Sequence, residues 1–267
     1  MRATLITRPL ERLGRIVTSL IAEWGYYGAL LVESGYWIVM GHSRHQPVRI
    51  RAIFSQMMVV GIAAIPIVFL LSFAVGVMLA IQGVHTLRTF GAESQVVIGI
   101  ALAVTREFGP LITAVVVAGR TGSALAARIG TMVVSQEVDA LSVMSISAVR
   151  YLVVPVVVAM LLMVPSLTFM ADLAALTGGA VFTSIELGLS FDAFFSRTFE
   201  VLAVEDVMQG IAKSVVFALI VALVGVSNGF SVTGGAEGVG RATTRSVVFS
   251  ISYIVLADMV FTWFLNV

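Results

Sequence analysis

The sequence contains no cysteine and little charge. The missing cysteines exclude a disulfide framework, a thiolate metal site and a cysteine nucleophile. Charged residues make up 12% of the 267 residues, whereas a soluble domain carries about 25%. Hydrophobic residues reach 59%, with a mean hydropathy of +1.04, and no polar tract is long enough for a separate soluble domain. These values indicate an integral membrane protein.

The sequence also lacks the motifs of an enzyme. The glycine-rich stretch GGAEGVG does not have the GxxxxGK[ST] spacing of a phosphate-binding loop. His42 and His45 form an HxxH pair, but the neighbouring sequence offers no third metal ligand. No histidine falls within an apolar span, where it could act as the base for a serine nucleophile. We therefore expect no catalytic residue, no metal and no cofactor in this chain.

The N-terminal part is predicted to be an amphipathic helix. Over residues 10–31, apolar residues recur at steps of three and four, with charges on the opposite face. Its arginines and aromatic residues suit a helix that lies in the headgroup region of a membrane. The alternative is a short first span over residues 26–40. A basic elbow, GHSRHQPVRIR, completes this cytoplasmic or interfacial segment, residues 1–52.

Five apolar stretches follow and predict a membrane domain over residues 53–267. They cover residues 53–83, 96–119, 151–179, 207–230 and 246–267. Residues 1–52 hold seven arginines, whereas the two loops on the opposite side hold one each, which predicts a cytoplasmic N-terminus and a C-terminus on the outer side of the membrane. The predicted fold is all-α: an interfacial amphipathic helix, five transmembrane helices, and a cytoplasmic helix between the second and third spans.

Charged residues inside spans are costly, so each one marks a candidate functional position. Arg106 and Glu107 lie about 15 Å into the second span. Pro110 weakens the helix there because it cannot donate to the carbonyl of Arg106. The charged pair either binds an anionic headgroup or belongs to a structural network that fixes helix packing. Lys213 and Asp258 lie at matching depths in the fourth and fifth spans, so we predict that they pair, with a structural role favoured over a proton relay.

Two shorter patterns lie between the second and third spans. Small residues recur at three- and four-residue steps over residues 119–130, which lets another helix approach closely. A short amphipathic helix is predicted next, and its candidate residues are Gln136, Glu137, Asp139, Leu141 and Met144. It is either an ordinary loop helix or a docking helix whose exposed face enters a groove on a partner.

These residues resemble those of the MlaE/YrbE permeases, the membrane subunits of bacterial ABC systems associated with MCE proteins. The matching text is TREFGPLITAVVVAGRTGSALAARIGTM, QEVDALSVM, RYLVVP, KSVVFALIVALVGVSNGF and GVGRATTRSVV. The resemblance extends over about residues 53–266. One departure is Ser147 and Ala148, where the family often has Asp-Pro; a proline there would stiffen the turn into the third span.

The resemblance implies a homodimer in a Gram-negative inner membrane that moves glycerophospholipids between the inner and outer membranes and maintains outer-membrane lipid asymmetry. It implies two cytoplasmic ABC ATPase subunits that bind ATP and magnesium, a periplasmic MCE-domain hexamer and a small cytoplasmic STAS-like subunit. No nucleic acid partner is expected.

The resemblance also assigns roles to residues. Arg106 and Glu107 match the family's polar pair near the lipid cavity. Positions at the outer mouth of that cavity align with Leu79, Thr86, Leu87 and Phe90. The polar-faced segment over residues 136–144 would be the coupling helix that receives the motion of the ATPase.

Two other functions stay open from the residues themselves. A secondary transporter would use Arg106, Glu107, Lys213 and Asp258 as an ion relay, although the five spans show no inverted repeat. A non-transporting membrane scaffold would tolerate the loss of both Arg106 and Glu107. Charges inside the spans, a docking helix and no nucleotide site together favour transport driven by a partner that hydrolyses ATP.

Overall fold

The computed structural model describes the backbone of residues 3–41 and 49–265, and the side chains of residues 18, 21–41 and 49–264. Within that part of the chain every regular element is a helix, as predicted. The α-helices are α1 Ala3–Met40, α2 Ile50–Val60, α3 Ile65–Arg88, α4 Val96–Ala103, α5 Gly109–Val117, α6 Ser123–Val134, α7 Glu137–Val143, α8 Val154–Leu187, α9 Phe191–Val201, α10 Val204–Phe230 and α11 Gly235–Leu265. Three π-helical turns lie at Val104–Phe108, Ala118–Gly122 and Val149–Val153.

Five helical segments of the described residues are long and apolar enough to cross a membrane. Spans 1 to 5 are Ile50–Arg88, Glu93–Val134, Val149–Leu187, Val204–Phe230 and Gly235–Phe264. The prediction of an all-α membrane protein with five spans is therefore confirmed. The amphipathic helix is also present as α1, which is continuous through residues 26–40 and is not among the five. An interfacial position for α1 stays a prediction.

Two predicted loops are wrong because the chain stays helical there. Span 2 continues to Val134, about four turns past residue 119, and span 5 begins at Gly235 rather than at residue 246. The small residues explain the first extension, since they let α6 lie against α10 and the turn that follows it. A methyl group on Gly130 would overlap Val232, and one on Gly122 would approach Val221 to 3.1 Å. A methyl group on Gly119, at the start of the same pattern, would meet no atom within 4 Å among the described residues.

Spans 3 and 4 form the centre of the bundle. In the most apolar stretch of each span, 61% of the residues are buried in span 3 and 67% in span 4, against 28% in span 1 and 11% in span 5. Span 1 packs closely on span 3, because Gly76 lies against the backbone of Ala175 and Gly178 against the backbone of Phe73. A second cluster, around the fully buried Phe194 of α9, joins α9 to α4 and to the end of α8.

Side-chain hydrogen bonds tie helix α1 to span 5 and to the residue Ser147 before span 3. Glu23 accepts a hydrogen bond from Arg245 of α11 at 3.2 Å, and Glu33 accepts one from Ser147 before span 3, also at 3.2 Å. Burial, followed by the Glu23 carboxylate, raises the pKa of Tyr27, so the Tyr27 hydroxyl remains protonated and donates to Glu23 at neutral pH. The contact with Ser147 holds α1 beside the segment that contains α7.

Candidate functional site

The charged pair lies on the π-helical turn Val104–Phe108, between α4 and α5. Pro110 stands in the first turn of α5, immediately beyond it. Because Pro110 has no N–H, the carbonyl of Arg106 lacks its usual α-helical donor, and the wider turn accommodates this loss. The sequence predicted a weakened helix at this place, and the structure shows a π-helical turn there.

Arg106 and Glu107 contact different partners, as expected for neighbours that point about 100° apart. Arg106 Nε lies 2.7 Å from Asp206 Oδ1, and Arg106 Nη2 lies 2.5 Å from the same oxygen. Asp206 Oδ2 accepts the backbone N–H of Ala203 at 3.0 Å, which caps the start of α10. The Arg106 guanidinium therefore lies level with the first turn of α10, not with the middle of span 4. The long side chain carries the charge away from the predicted midplane depth.

Glu107 belongs to a second cluster, the Lys213 network, which consists of Glu107, Lys213, Asp258 and Thr262. Lys213 Nζ lies 2.6 Å from Glu107 Oε2, 3.0 Å from Asp258 Oδ1 and 3.1 Å from Thr262 Oγ1. The contact with Asp258 is an ion pair, and among the described residues Asp258 Oδ1 accepts no hydrogen bond of good geometry. Thr262 donates to Glu107 at 3.1 Å. The network ties span 2 to spans 4 and 5.

Burial makes the Lys213 network sensitive to the loss of any member. The side chain of Lys213 is 0% exposed, whereas those of Asp258 and Glu107 are 15% and 29% exposed. One ammonium faces two carboxylates, so the network carries one net negative charge when all three groups are ionised. A buried charge is tolerated only when it is paired, and Lys213 is the cation that pairs with both carboxylates.

The structure thus places the predicted partners Lys213 and Asp258 in contact. Sequence reasoning missed that Glu107 and Thr262 join them. The position of a residue along a span predicts its depth in the membrane but not the direction in which its side chain points around the helix axis. Sequence reasoning also missed Asp206, which was assigned to a polar loop but lies in the first turn of α10. Asp206 lies three residues after Ala203, the N-cap of α10, and because alanine has no side-chain cap, the Ser/Thr-x-x-Glu signature that could have identified this helix start is absent.

Asp172 is a buried carboxyl group that the sequence reasoning did not single out. Its residue is 7% exposed in the middle of α8, and Oδ1 has no hydrogen-bond partner among the described residues. This oxygen lies against Gly109, the residue that follows the charged turn, and a methyl group there would overlap it. Gly109 therefore has a steric reason to be glycine.

An apolar groove of about 320 Å³ lies between α3 and α4. Its walls include three of the positions assigned to the mouth of a lipid cavity, and its lining is Leu79, Gln82, Gly83, Thr86, Leu87, Val96, Gly99 and Ile100. Phe90 lies outside it, in the turn after α3, with 78% of its surface exposed. Arg106 and Glu107 do not line this groove. The structure therefore does not bring the charged pair and the aligned apolar positions into one cavity.

The predicted amphipathic segment forms α7, and it protrudes from the bundle. Gln136, before the helix, and Ser145, after it, both have positive φ values, 60° and 59°, which turn the chain sharply at each end. Leu141 is 8% exposed and anchors α7 to the bundle, so it does not belong to the outer face. Glu137, Asp139 and Met144 are exposed, together with Val143, of which 86% is exposed. This mixed acidic and apolar face is uncovered in the monomer.

Comparison with known proteins gives consistent matches. The family model described as Permease MlaE matches residues 53–264. A probable ABC transporter permease of Rickettsia typhi is 34% identical over 216 residues, which are 81% of this chain and 83% of the relative. A probable ABC transporter permease of Synechocystis is 37% identical over 80% of this chain and 81% of the relative. The chloroplastic protein TRIGALACTOSYLDIACYLGLYCEROL 1 of Arabidopsis thaliana is 36% identical over 76% of this chain and 58% of its own length.

Proposed function

Because the chain belongs to the MlaE permease family, we propose that it moves glycerophospholipids between the inner and outer membranes of a Gram-negative bacterium and so maintains outer-membrane lipid asymmetry. The chain is a multi-pass membrane permease subunit of an ABC transporter, and its relatives imply that a separate subunit hydrolyses ATP. What we propose beyond this is the class of lipid, the two membranes between which it moves and the further partner proteins.

The observation that carries the proposal is the position of Arg106. It leaves 36% of its side chain exposed in span 2, and its guanidinium already binds a carboxylate oxygen of Asp206. A guanidinium presents five N–H donors in a fork that matches carboxylates and phosphates. A lipid phosphate that reaches this level of span 2 would therefore meet a charged group that still has N–H donors to offer.

The apolar groove and one relative support a lipid with acyl chains. The groove between α3 and α4 has mostly apolar walls, with Gln82 and Thr86 as its polar residues, which suits a hydrocarbon chain better than a polar solute. The Arabidopsis relative carries the name of a diacylglycerol glycolipid. A diacyl lipid therefore fits both features, and glycerophospholipid is the class that also offers a phosphate to Arg106.

Two surfaces suit the proposed partners. The exposed face of α7 would receive the motion of two cytoplasmic ATPase subunits, which hold ATP and magnesium. At the opposite end of the bundle, apolar side chains are 71–78% exposed near the ends of α3, α8 and α9 and at the start of α10: Phe90, Ile185, Phe199 and Val204. Such exposed apolar residues favour a protein or membrane contact, and we assign them to a periplasmic MCE-domain hexamer. A STAS-like subunit on the cytoplasmic side remains part of the proposal.

A homodimer and the membrane orientation complete the proposal. Only 11% of the apolar stretch of span 5 is buried, so most of its surface must be covered by lipid or by a second copy of the chain. We assign part of that surface to a second copy in the membrane. The excess of arginines on residues 1–52 supports a cytoplasmic N-terminus and a periplasmic C-terminus in the inner membrane.

The test is mass spectrometry of lipids that co-purify with the permease–ATPase complex. Arg106→Ala should reduce bound glycerophospholipid roughly tenfold or more, since a hydrogen bond to a charged group is worth about 1.5–3 kcal/mol. Arg241→Ala is the matched control, because Arg241 forms an exposed pair with Glu237 on α11. Equal lipid content in the two variants would contradict the role of Arg106.

The ion-coupled rival would run through the Lys213 network, whose side chains are contiguous. Membership of an ABC permease family favours ATP as the energy source. Under the ATP-driven account, Asp258→Asn alters stability, whereas a relay through Asp258 requires that the same change abolish transport in a fully folded protein.

A further inference from the structure

A small pocket with two arginines lies at the other end of the bundle from Arg106. Its volume is about 100 Å³, and it lies between α2, α6 and the start of span 3. The floor is apolar and buried, formed chiefly by Leu125, Ile129 and Val156. The rim is polar and carries Arg49 and Arg128. Among the described residues no carboxylate lines this pocket, and the charged groups there are the two arginines.

The two arginines differ in what holds them. Arg49 donates from Nη1 to the Tyr151 hydroxyl at 3.2 Å, and its guanidinium carbon lies 5.2 Å from the centroid of the Tyr151 ring. These two contacts orient the guanidinium while leaving most of its N–H donors unused. Arg128 is exposed and has no ion pair within the described part of the chain. Two cations that share one rim repel each other, and a bound anion removes that repulsion.

The pocket lies at the ends of spans 1 and 3, where phospholipid headgroups are expected. Arg49 immediately precedes span 1, and Tyr151 is the third residue of span 3. Arginine and tyrosine at span ends are typical of the membrane–water interface. The volume is well below the roughly 300 Å³ of a site for a drug-sized ligand, so it admits a phosphate group but not a nucleoside.

We propose that Arg49 and Arg128 bind the phosphate of an anionic phospholipid in the leaflet at the α7 end of the bundle, with Tyr151 orienting Arg49. This site is separate from the transport path through Arg106 and does not depend on which lipid is transported. A phosphate bound here links the start of span 1 to α6 and to the start of span 3. Because α6 leads directly into α7, the bound lipid stiffens the base of the helix that meets the ATPase.

The experiment uses the purified permease–ATPase complex in an uncharged detergent. Its thermal midpoint is titrated with short-chain phosphatidylglycerol, with the matching diacylglycerol that lacks phosphate, and with water-soluble glycerol phosphate. Arg49→Gln and Arg128→Gln should each weaken the apparent affinity for phosphatidylglycerol roughly tenfold. Arg51→Gln is the control, since Arg51 is an exposed arginine two residues from Arg49 that does not line the pocket. Arg128→Lys should recover part of the affinity.

The same titration on Arg106→Ala separates this site from the proposed transport site. We expect the phosphatidylglycerol response of that variant to persist, whatever happens to its co-purified lipid. Unchanged affinity in both glutamine variants, or an equal loss in Arg51→Gln, would overturn the assignment. An equal response to diacylglycerol would show that phosphate is not recognised. An equal response to glycerol phosphate would show that the ligand is a free phosphate compound rather than a membrane lipid.

Discussion

Replacing Lys213 with methionine should destabilise the bundle by about 3–5 kcal/mol, the usual result of removing one partner of a buried charge pair. Methionine keeps an apolar stem of similar length but removes the ammonium group from between Glu107 and Asp258. The nominal charge of the Lys213 network then changes from −1 to −2, at a position where Lys213 itself is 0% exposed. The remaining carboxylates must take up protons or draw in water, and both responses lower the stability of the native state.

The loss can be measured as the temperature at which the detergent-solubilised protein leaves its monodisperse peak in size-exclusion chromatography. A loss of about 3–5 kcal/mol corresponds to a fall of roughly 10 °C in a chain of this size. Arg241→Met is the matched control, since it breaks an ion pair of 2.9 Å whose side chains are 67% and 81% exposed. Exposed pairs contribute at most about 1 kcal/mol, so the control should shift by only a few degrees.

A triple variant tests whether the loss comes from unpaired charge. Lys213→Met combined with Glu107→Gln and Asp258→Asn leaves no ionised group in the network and should recover most of the midpoint. Equal midpoints for Lys213→Met and Arg241→Met would refute the reasoning. A triple variant less stable than the single one would also refute it, because packing around Lys213 would then outweigh charge.

Two other substitutions test separate parts of the account. Changing Glu137 and Asp139 to lysine should uncouple ATP hydrolysis from transport without emptying the lipid site, because these side chains lie on the exposed face of α7. ATPase activity and bound lipid are measured on the same preparation. Normal transport in this variant would contradict the coupling role. Gly109→Ala should destabilise the protein by about 1–3 kcal/mol through overlap with Asp172, and Asp172→Ala in the same chain should recover that loss in a thermal unfolding assay. Strictly additive effects of the two changes would show that the contact is unimportant.

Much of the fold could be predicted because hydropathy is a property of long segments. The five spans and the separate N-terminal helix follow from composition and periodicity alone. The contact between Lys213 and Asp258 could also be predicted, since two opposite charges at equal depth in an apolar bundle have a strong reason to meet. Residues 136–144 were predicted as a helix, and α7 forms there as Glu137–Val143.

The remaining features depend on contacts between distant parts of the chain. Residues 120–134 looked like a loop because they are less apolar, but small side chains let them continue as helix against α10 and α11. Glu107 lies within the π-helical turn before Pro110 and contacts Lys213 of span 4, which its position along span 2 alone does not reveal. Leu141 was grouped with the coupling face on its position in the sequence, whereas burial places it on the inner side of α7. Nothing in the local sequence reveals that Asp172 lies against Gly109.

The central claim is that ATP hydrolysed by a partner moves phospholipid through this chain. The most direct measurement reconstitutes the permease with its ATPase in vesicles and follows the transfer of a labelled glycerophospholipid to an acceptor. The account predicts transfer that requires ATP, is inhibited by vanadate and falls strongly in Arg106→Ala. Transfer that is insensitive to vanadate and abolished by an ionophore would contradict it and would identify an ion-coupled transporter instead.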